Sequence, residues 1–589
     1  LFFACDHFGF SFKDFDNYLP GKAYRLSVRK GNFSTAKGIL GLQDVKLLPQ
    51  DSLWQMGTNS YFRIETPMIY ATGLNRLPEN LLQRLDATSL HVESPDIRLM
   101  KKDGSLLQVS LQDLGIDKVV WDSLHFSVGS INLSDPVVSY QAGTSPDTIK
   151  TKKKSPAVLS DDIYEAVGRF TPDLSLGKLT VSNAVWNRDT ANLFLEGLHV
   201  NVRNRTFGLK TVRFDTKDLA FPLDNGFYTL KIGKVNLNNT DLNLEDIHLV
   251  SAYPKMEFAY RQPKHQDWFD VKVGRLGLSG IDLPAYFSEK VVRIKNVEVD
   301  NAELQNFKNQ QIAVPRRIVP MIYSGLQKAP VKMAIDSLRV NNFSVVYEEL
   351  SKKGIQPGKL FFTEMNGKFS GFTNVVSYPD QYIRLDANGK LMGKGYFTAT
   401  WQLPVDSLND RFLLDAHMED FDLTALNQLI TPLAFAKVES GKLVDFTFST
   451  EASTKGATVD MLFLYRDLKA EIMKEKNGEV IDNKFLSRLA NLVLKHDNPD
   501  HPEQGTYRPR HSHLTIERDP YHSTFNYLWQ ILRPALTESV GVSKKVQDVA
   551  KGVSGFFTKV KNFFHPGKKK QQKQPVSGQN EPAGELIPE

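Results

Sequence analysis

The sequence predicts a mainly β fold with a few short helices: an elongated, twisted antiparallel sheet with an α-helical C-terminal segment. Three observations carry this. Short runs alternate apolar and polar residues with a period of two, the spacing at which successive side chains leave opposite faces of a strand. One short pattern, a polar residue followed by apolar–x–apolar and a turn former, recurs along the chain. The alternation also persists from about Leu26 to Phe448, well past the roughly 100–250 residues within which a β-sandwich closes.

The pattern reads SLHVES from Ser89, SLHFS from Ser123, KLTVSN from Lys178, KVNLNN from Lys234, RLGLSG from Arg275, NVEVDN from Asn296 and SLRVNN from Ser337. The spacing between copies is uneven, which excludes a fixed-period solenoid. A second alternating run follows most copies, as at Phe343 to Tyr347, so each copy is expected to form a hairpin with Asn-Asn or Ser-Asn at the reversal, where a positive φ is tolerated. The paired apolar positions then share one face: Leu90 and Val92, Leu124 and Phe126, Leu179 and Val181, Val235 and Leu237, Leu276 and Leu278, Val297 and Val299, Leu338 and Val340. A one-sided apolar sheet must cover that face or leave it exposed for a purpose, and few helices are at hand to cover it. Its natural occupant is a lipid or a partner sheet.

Three helical pieces interrupt the alternation. Ser160 to Phe170 has a serine N-cap and acids in its first turn. Arg316 to Gln327 is entered after Pro315, and Leu423 to Ile430 has Pro432 just past its end. Further on, Asp482 to Val493 and Ser523 to Leu532 read as helices, and His511 to Arg518 as a last strand. The chain divides into an N-terminal β segment (1–144), a linker (145–159), a central β segment (160–330), a C-terminal β segment (331–475), a terminal strand with amphipathic helices (476–566) and a disordered tail (567–589).

Charge is concentrated at the C-terminus. Residues 544–570 hold eight lysines against Asp548, a net of +7, and the tail beyond holds Lys573 against Glu581, Glu585 and Glu589. The chain as a whole carries +6, so its remaining bulk is close to neutral. A nucleic-acid binder would spread basic charge over a folded face, so no nucleic acid is expected as a partner. Within the basic stretch Val542, Val546, Val549, Val553, Phe556, Val560 and Phe563 recur at steps of three and four, while Lys551, Lys559 and Lys561 fall on other faces. This is the pattern of an amphipathic helix for an anionic membrane surface or a partner groove. Gly541, Gly552 and Gly555 each cost such a helix about 0.8–1 kcal/mol, so it needs a surface to form.

Enzyme chemistry finds no framework. The sequence holds no P-loop, no dinucleotide-binding glycine motif, no HExxH and no GxSxG elbow. Cys5 is the one cysteine and cannot close an internal disulfide. His496, His501, His511, His513 and His522 lie close in sequence, and His511 and His513 share a strand face, a spacing that can chelate. No helical i, i+4 pair fixes them, so no metal and no cofactor are expected. No run of 18 apolar residues offers a membrane-spanning helix. The chain starts at Leu1 rather than Met and is read as missing its natural N-terminus, so the absence of a targeting segment decides nothing.

Several segments resemble the AsmA-like proteins of Gram-negative bacteria, in the version found in the Bacteroidota, a group that extends to the TamB-like bridges. The resemblance rests on IDSLRVNNFSVVYEEL from Ile335 with GKLFFTEMNGKFSGFTN from Gly358, the lead-in PRRIVPMIYSGLQKAP from Pro315, MEDFDLTALNQLITPLAFAKVESGKL from Met418 and FNYLWQILRPALTESVGV from Phe525. It covers about Ser160 to Val542, and none of its motifs is catalytic. It implies a trough lined with apolar side chains, phospholipid movement between membranes and outer-membrane integrity. It further implies a periplasmic location with an inner-membrane anchor. The partners it implies are a phospholipid or other lipid, the membrane surface and other envelope proteins.

Overall fold

The computed structural model describes residues 7–541, apart from 20–22, 52–53, 55–60, 75–83, 101–104, 123, 142–158, 169–170, 187–188, 224–225, 262–265, 313–317, 353, 377–380, 406–409, 435, 477–478, 485–486, 489–490, 492–493, 501–507 and 522. The 145–159 linker, apart from Leu159, and the basic C-terminal segment with its tail lie outside the described residues.

The chain is mainly β, and its strands join edge to edge into one long twisted sheet. It begins as an antiparallel meander of β1 (Gly9–Tyr18), β2 (Tyr24–Ser34), β3 (Ile39–Pro49) and β4 (Tyr61–Thr72). β4 then meets two collinear strands, β5 (Arg84–Glu93) and β6 (Asp96–Met100). These pair with β8 (Asp113–Asp122) and β7 (Leu106–Ser110), which pair in turn with β9 (Phe126–Ser134) and β10 (Val137–Gln141).

Next come β11 (Asp173–Trp186) and β12 (Asp189–Asn201), the latter flanked by β13 (Thr206–Gly208) and β14 (Thr211–Leu223). The meander continues through β15 (Tyr228–Asn238), β16 (Asp241–Ser251), β17 (Trp268–Ile281) and β18 (Val291–Asn309). From β19 (Lys332–Leu350) it runs through β20 (Gly358–Thr373), β21 (Tyr382–Leu391), β22 (Gly395–Pro404) and β23 (Phe412–Asp422) to β24 (Ala436–Ala452) and β25 (Gly456–Lys476). β25 carries the short β26 (Glu479–Asp482) and the closing strand β27 (His511–Glu517).

Two joins are parallel: β11 against β9 and β10, and β19 against β18. A parallel neighbour cannot follow a tight turn, because the chain must first travel back along the strand. The two returns are the stretches that contain helices α1 (Leu159–Gly168) and α4 (Ile322–Gln327). Between them lie two further short helices, α2 (Lys255–Arg261) and α3 (Leu283–Glu289). Later come a 3₁₀ turn at Leu423–Leu426 that runs into α5 (Asn427–Ala434), and α6 (Thr524–Ser539).

Several expected boundaries shift. The helix expected from Arg316 begins only at Ile322 among the described residues, and Pro432 lies inside α5 rather than past it. α6 runs to Ser539, through Pro534, rather than stopping at Leu532. In the expected helix of 482–493, Lys484, Ser487, Arg488 and Asn491 are helical, while Asp482 belongs to β26.

The Asn-Asn and Ser-Asn pairs correct the hairpin reading in an instructive way. Asn183, Asn301 and Asn342 do take positive φ, each 54°. They stand, however, in the interior of unbroken strands β11, β18 and β19. Only Asn239 marks a true reversal, between β15 and β16. Asn183 and Asn342 are bulges against β12 and β20, whereas at Asn301 facing residues drop out of the ladder together with the register kept; in each case the alternation changes phase. In β15 the apolar residues are Leu230 and Ile232 before Gly233 but Val235 and Leu237 after it. In β18 they are Val297 and Val299 before Asn301 but Ala302 and Leu304 after it. Each phase change keeps the apolar side chains on one face of a strand too long to stay straight.

The breaks in the ladder align. Pairing lapses in step at Asp218 opposite Gly233, Gly233 opposite Asp246, Asp246 opposite Gly274, Gly274 opposite Asn301 and Asn301 opposite Asn342. Asp218, Asp246, Asn301 and Asn342 all carry φ of 54–55°. The facing glycines leave the room this needs: a Cβ on Gly233 would stand 2.8 Å from the Cβ of Asp246. Asn342 Nδ2 donates to Asn301 Oδ1 at 2.8 Å, linking adjacent breaks. Asn342→Val should lower stability by about 1–2 kcal/mol, the cost of holding a residue with a Cβ left-handed, whereas Asn342→Gly should lose only the side-chain bond. Urea unfolding of the two variants side by side measures the difference.

Candidate functional site: the apolar face of the sheet

Directly opposed residues of neighbouring strands project to the same face, so the register traces that face across the molecule. One line runs Phe12, Gly31, Leu42, Ile69, Val92, Leu114, Leu133 and Val181 from β1 to β11. It continues through Leu193, Phe214, Leu237, Leu242, Leu278, Val297, Leu338 and Phe369 to β20. Gly31 apart, every position is apolar.

The expected pairs fall on this line or beside it. Val92, Val181, Leu237, Leu278, Val297 and Leu338 lie on the line itself. Leu90 faces Ile116, Leu179 faces Leu195 and Ile131, Val235 faces Leu244, Leu276 faces Val299, Val299 faces Val340, and Phe126 faces Trp121 and Leu174. Leu124 does not join them. It sits in the tight turn between β8 and β9, where Asp122 Oδ1 accepts from its N–H at 2.8 Å, and it is exposed. The period-two pattern could not distinguish a strand residue from one in the turn before it. The stripe from Val546 to Phe563 and its lysines lie outside the described residues.

Most of this face is half-buried. Leu90, Leu179, Val181, Leu237, Leu276, Leu278, Val299, Leu338 and Val340 are neither sealed nor fully exposed, while Val92, Val235 and Val297 are buried. This is the state of side chains flanked by sheet neighbours without a second layer above them. The opposite face is polar and ion-paired: Lys234 Nζ lies 3.0 Å from Glu245, and Arg275 Nη1 lies 3.0 Å from Asp300. Such exposed pairs contribute little stability, but they mark which side faces water.

Toward the C-terminal end the same face is closed. The register carries on from Phe369 through Leu385, Trp401, Leu414, Thr450 and Val459 to Leu514. Here α6 lies over it, burying Tyr527, Ile531 and Ala535 completely against Phe412, Phe448, Ala452, Ala457 and Met461. Tyr323 of α4 and Phe421 join the same core. Polar anchors fasten this end, with Tyr465 and Ser539 buried and Arg510 half-buried. Arg510 donates to the Ser539 carbonyl at 2.8 Å and to the Tyr465 hydroxyl at 3.0 Å, and Tyr465 donates to the Lys495 carbonyl at 2.9 Å. Burial pushes the Tyr465 hydroxyl up to about 12. The alternating runs signalled these strands; nothing in the pattern signalled that a helix closes over them.

The histidines on the polar face pair with aspartates on neighbouring strands. His91 meets Asp113 at 2.9 Å, His248 meets Asp270 at 3.0 Å and His417 meets Asp445 at 2.9 Å. Asp173 lies between His199, at 2.9 Å, and His125, at 3.5 Å. Asp460 receives both His511, at 2.7 Å, and His513, at 3.3 Å. Burial would raise the Asp460 carboxyl, but the two histidines outweigh it and hold it below its usual value. Glu419 completes a trio with His417 and Asp445 whose ligand atoms lie within 4.8 Å of one another. Since the same histidine–aspartate pairing recurs along the sheet, that trio needs no ion to explain it.

Compared with known proteins, the chain matches no family model. No curated protein matches it either. The likeness to AsmA-like proteins therefore rests on the motifs quoted above. Among the described residues no helix is long and apolar enough to cross a membrane.

Proposed function

We propose that this chain is a non-enzymatic protein of the bacterial envelope whose apolar sheet face binds or conducts lipid, moving phospholipid between membranes and so maintaining the outer membrane. The observation that carries this is the line from Phe12 to Phe369, apolar at every position but Gly31, half-buried over most of its length and continuing into the end closed by α6. Acyl chains laid on such a face would remove it from water at about 25 cal/mol per Å². The AsmA-like motifs support the same reading and a periplasmic location. Native mass spectrometry of the purified chain tests it: co-purifying phospholipid is expected, and a lipid-free chain would overturn the reading.

A second reading, a structural or assembly factor for envelope complexes, is favoured by β1. That strand pairs with β2 alone among the described residues and presents exposed Phe10, Phe15 and Tyr18, an edge to which a partner strand could add. A stable protein partner in place of lipid would decide for it.

A further inference from the structure

We propose that the outer surface of the closed end is a seat for an anionic membrane surface. It is built from Phe525 and Trp529 of α6 together with Ile318, Ile322 and Tyr521. The helix is apolar on both sides. Its inner side buries Tyr527, Ile531 and Ala535 completely. Phe525 and Trp529, four residues apart and so on one face, leave 70% and 42% of their surface in solvent.

The segment before α4 is fastened beside the start of α6. The Val319 N–H donates to the Pro520 carbonyl at 2.9 Å, and Arg518 Nη2 donates to the Val319 carbonyl at 2.8 Å. This brings Ile318, 71% exposed, with Ile322 and Tyr521, each 37% exposed, to the same end of the molecule. None of these five is needed to fill the core, which Tyr323 and Tyr527 already close.

The composition and the charge select the occupant. Trp529 and Tyr521 are of the types that settle at the level of lipid headgroups, where a ring can be apolar on one side and wet on the other, and Phe525, Ile318 and Ile322 at the same end are apolar enough to insert below them. The flanking sequence is basic on balance: against Asp519, whose carboxylate accepts from the Tyr521 N–H at 3.1 Å, Arg316 and Arg317 precede Ile318, Lys328 follows α4, and the chain leaving α6 at Gly541 carries eight lysines over residues 544–570. An apolar, aromatic patch with cationic flanks matches an anionic bilayer better than the mixed rim of a protein interface. The seat meets the closed end of the apolar face at Trp401, whose ring lies edge-on to Phe525 at 6.4 Å between centroids, but it does not rest on the lipid-carrying role proposed for the open stretch.

The test uses the full chain and vesicles of phosphatidylcholine with or without phosphatidylglycerol. The wild type is expected to float with the anionic vesicles. Phe525→Asp with Trp529→Asp should cut the floated fraction about tenfold, while phospholipid bound within the sheet, read by native mass spectrometry, stays unchanged. Flotation of this variant equal to the wild type, or no flotation of the wild type, overturns the proposal. Should the double variant fold poorly, Ile318→Cys in a Cys5→Ser background, labelled with an environment-sensitive dye, serves instead. Its emission should shift to the blue and brighten on adding anionic vesicles, and an unchanged spectrum overturns the proposal equally.

Discussion

Leu237→Asp together with Val340→Asp is expected to strip bound phospholipid from the purified protein while leaving it folded. Both residues are half-buried on the open stretch, Leu237 opposite Phe214 and Leu242, Val340 opposite Val299. A carboxylate there can keep its water, so the fold loses only a modest apolar contribution. An acyl chain crossing the same positions would have to desolvate two charges, which costs far more than the hydrocarbon contact returns. Bound lipid should fall at least about tenfold, equivalent to about 1.4 kcal/mol, with the melting temperature only slightly lower. Native mass spectrometry with circular dichroism reads both quantities. If the double variant instead unfolds, the open stretch is a closed core and the lipid-binding face is lost as an idea.

At the closed end the expectation reverses. Tyr527→Ala should destabilise by about 3–5 kcal/mol, as large-to-small changes of fully buried aromatic residues do. The ring is completely buried, meets Phe412 edge-on at 6.5 Å between centroids, and lies under the Arg518 guanidinium at 5.7 Å. Burial also pushes its hydroxyl up to about 12. Two positions away, Phe525→Ala should change stability by no more than about 0.5 kcal/mol, because most of that ring already stands in water. Guanidinium unfolding of the two variants gives the contrast directly; equal losses would mean that α6 does not seal the sheet.

The alternation made the strands and their apolar face legible, because period two is a local property of each run. Register was not legible, since the partner of Val181 is fixed by Leu193 and Leu133 arriving from other parts of the chain. The asparagines show the limit most clearly. Their tolerance of positive φ was readable at Asn183, Asn301 and Asn342, but whether such a residue reverses the chain or breaks the ladder depends on what lies alongside. Lys118 and Glu364 take the same left-handed conformation, φ 53° and 51°, with nothing in their chemistry to announce it.

Helices were missed where burial outweighed local signals. α2 and α3 are seven residues each, too short to display a repeat. α6 continues past Pro534, which cannot donate to the carbonyl four residues back, because Ala535, Thr537 and Ser539 beyond it are buried against the sheet. The parallel joins were hidden as well, since a return crossing has no composition of its own beyond the helix it contains.

The aligned breaks in the ladder have a mechanical consequence. Along the line from Asp218 to Asn342 each neighbouring pair of strands lacks its ladder partners at the same height. Such a line works like the scored fold in a sheet of card. Fewer ladder hydrogen bonds cross that line than the rows on either side, so bending of the sheet is expected to gather there, with faster amide exchange at Gly233 and Gly274 than in the rows beside them. Because the alternation changes phase at that line, the rows on both sides turn the same apolar surface inward when the sheet flexes. A change in curvature at that line then leaves the apolar face continuous on one side of the sheet.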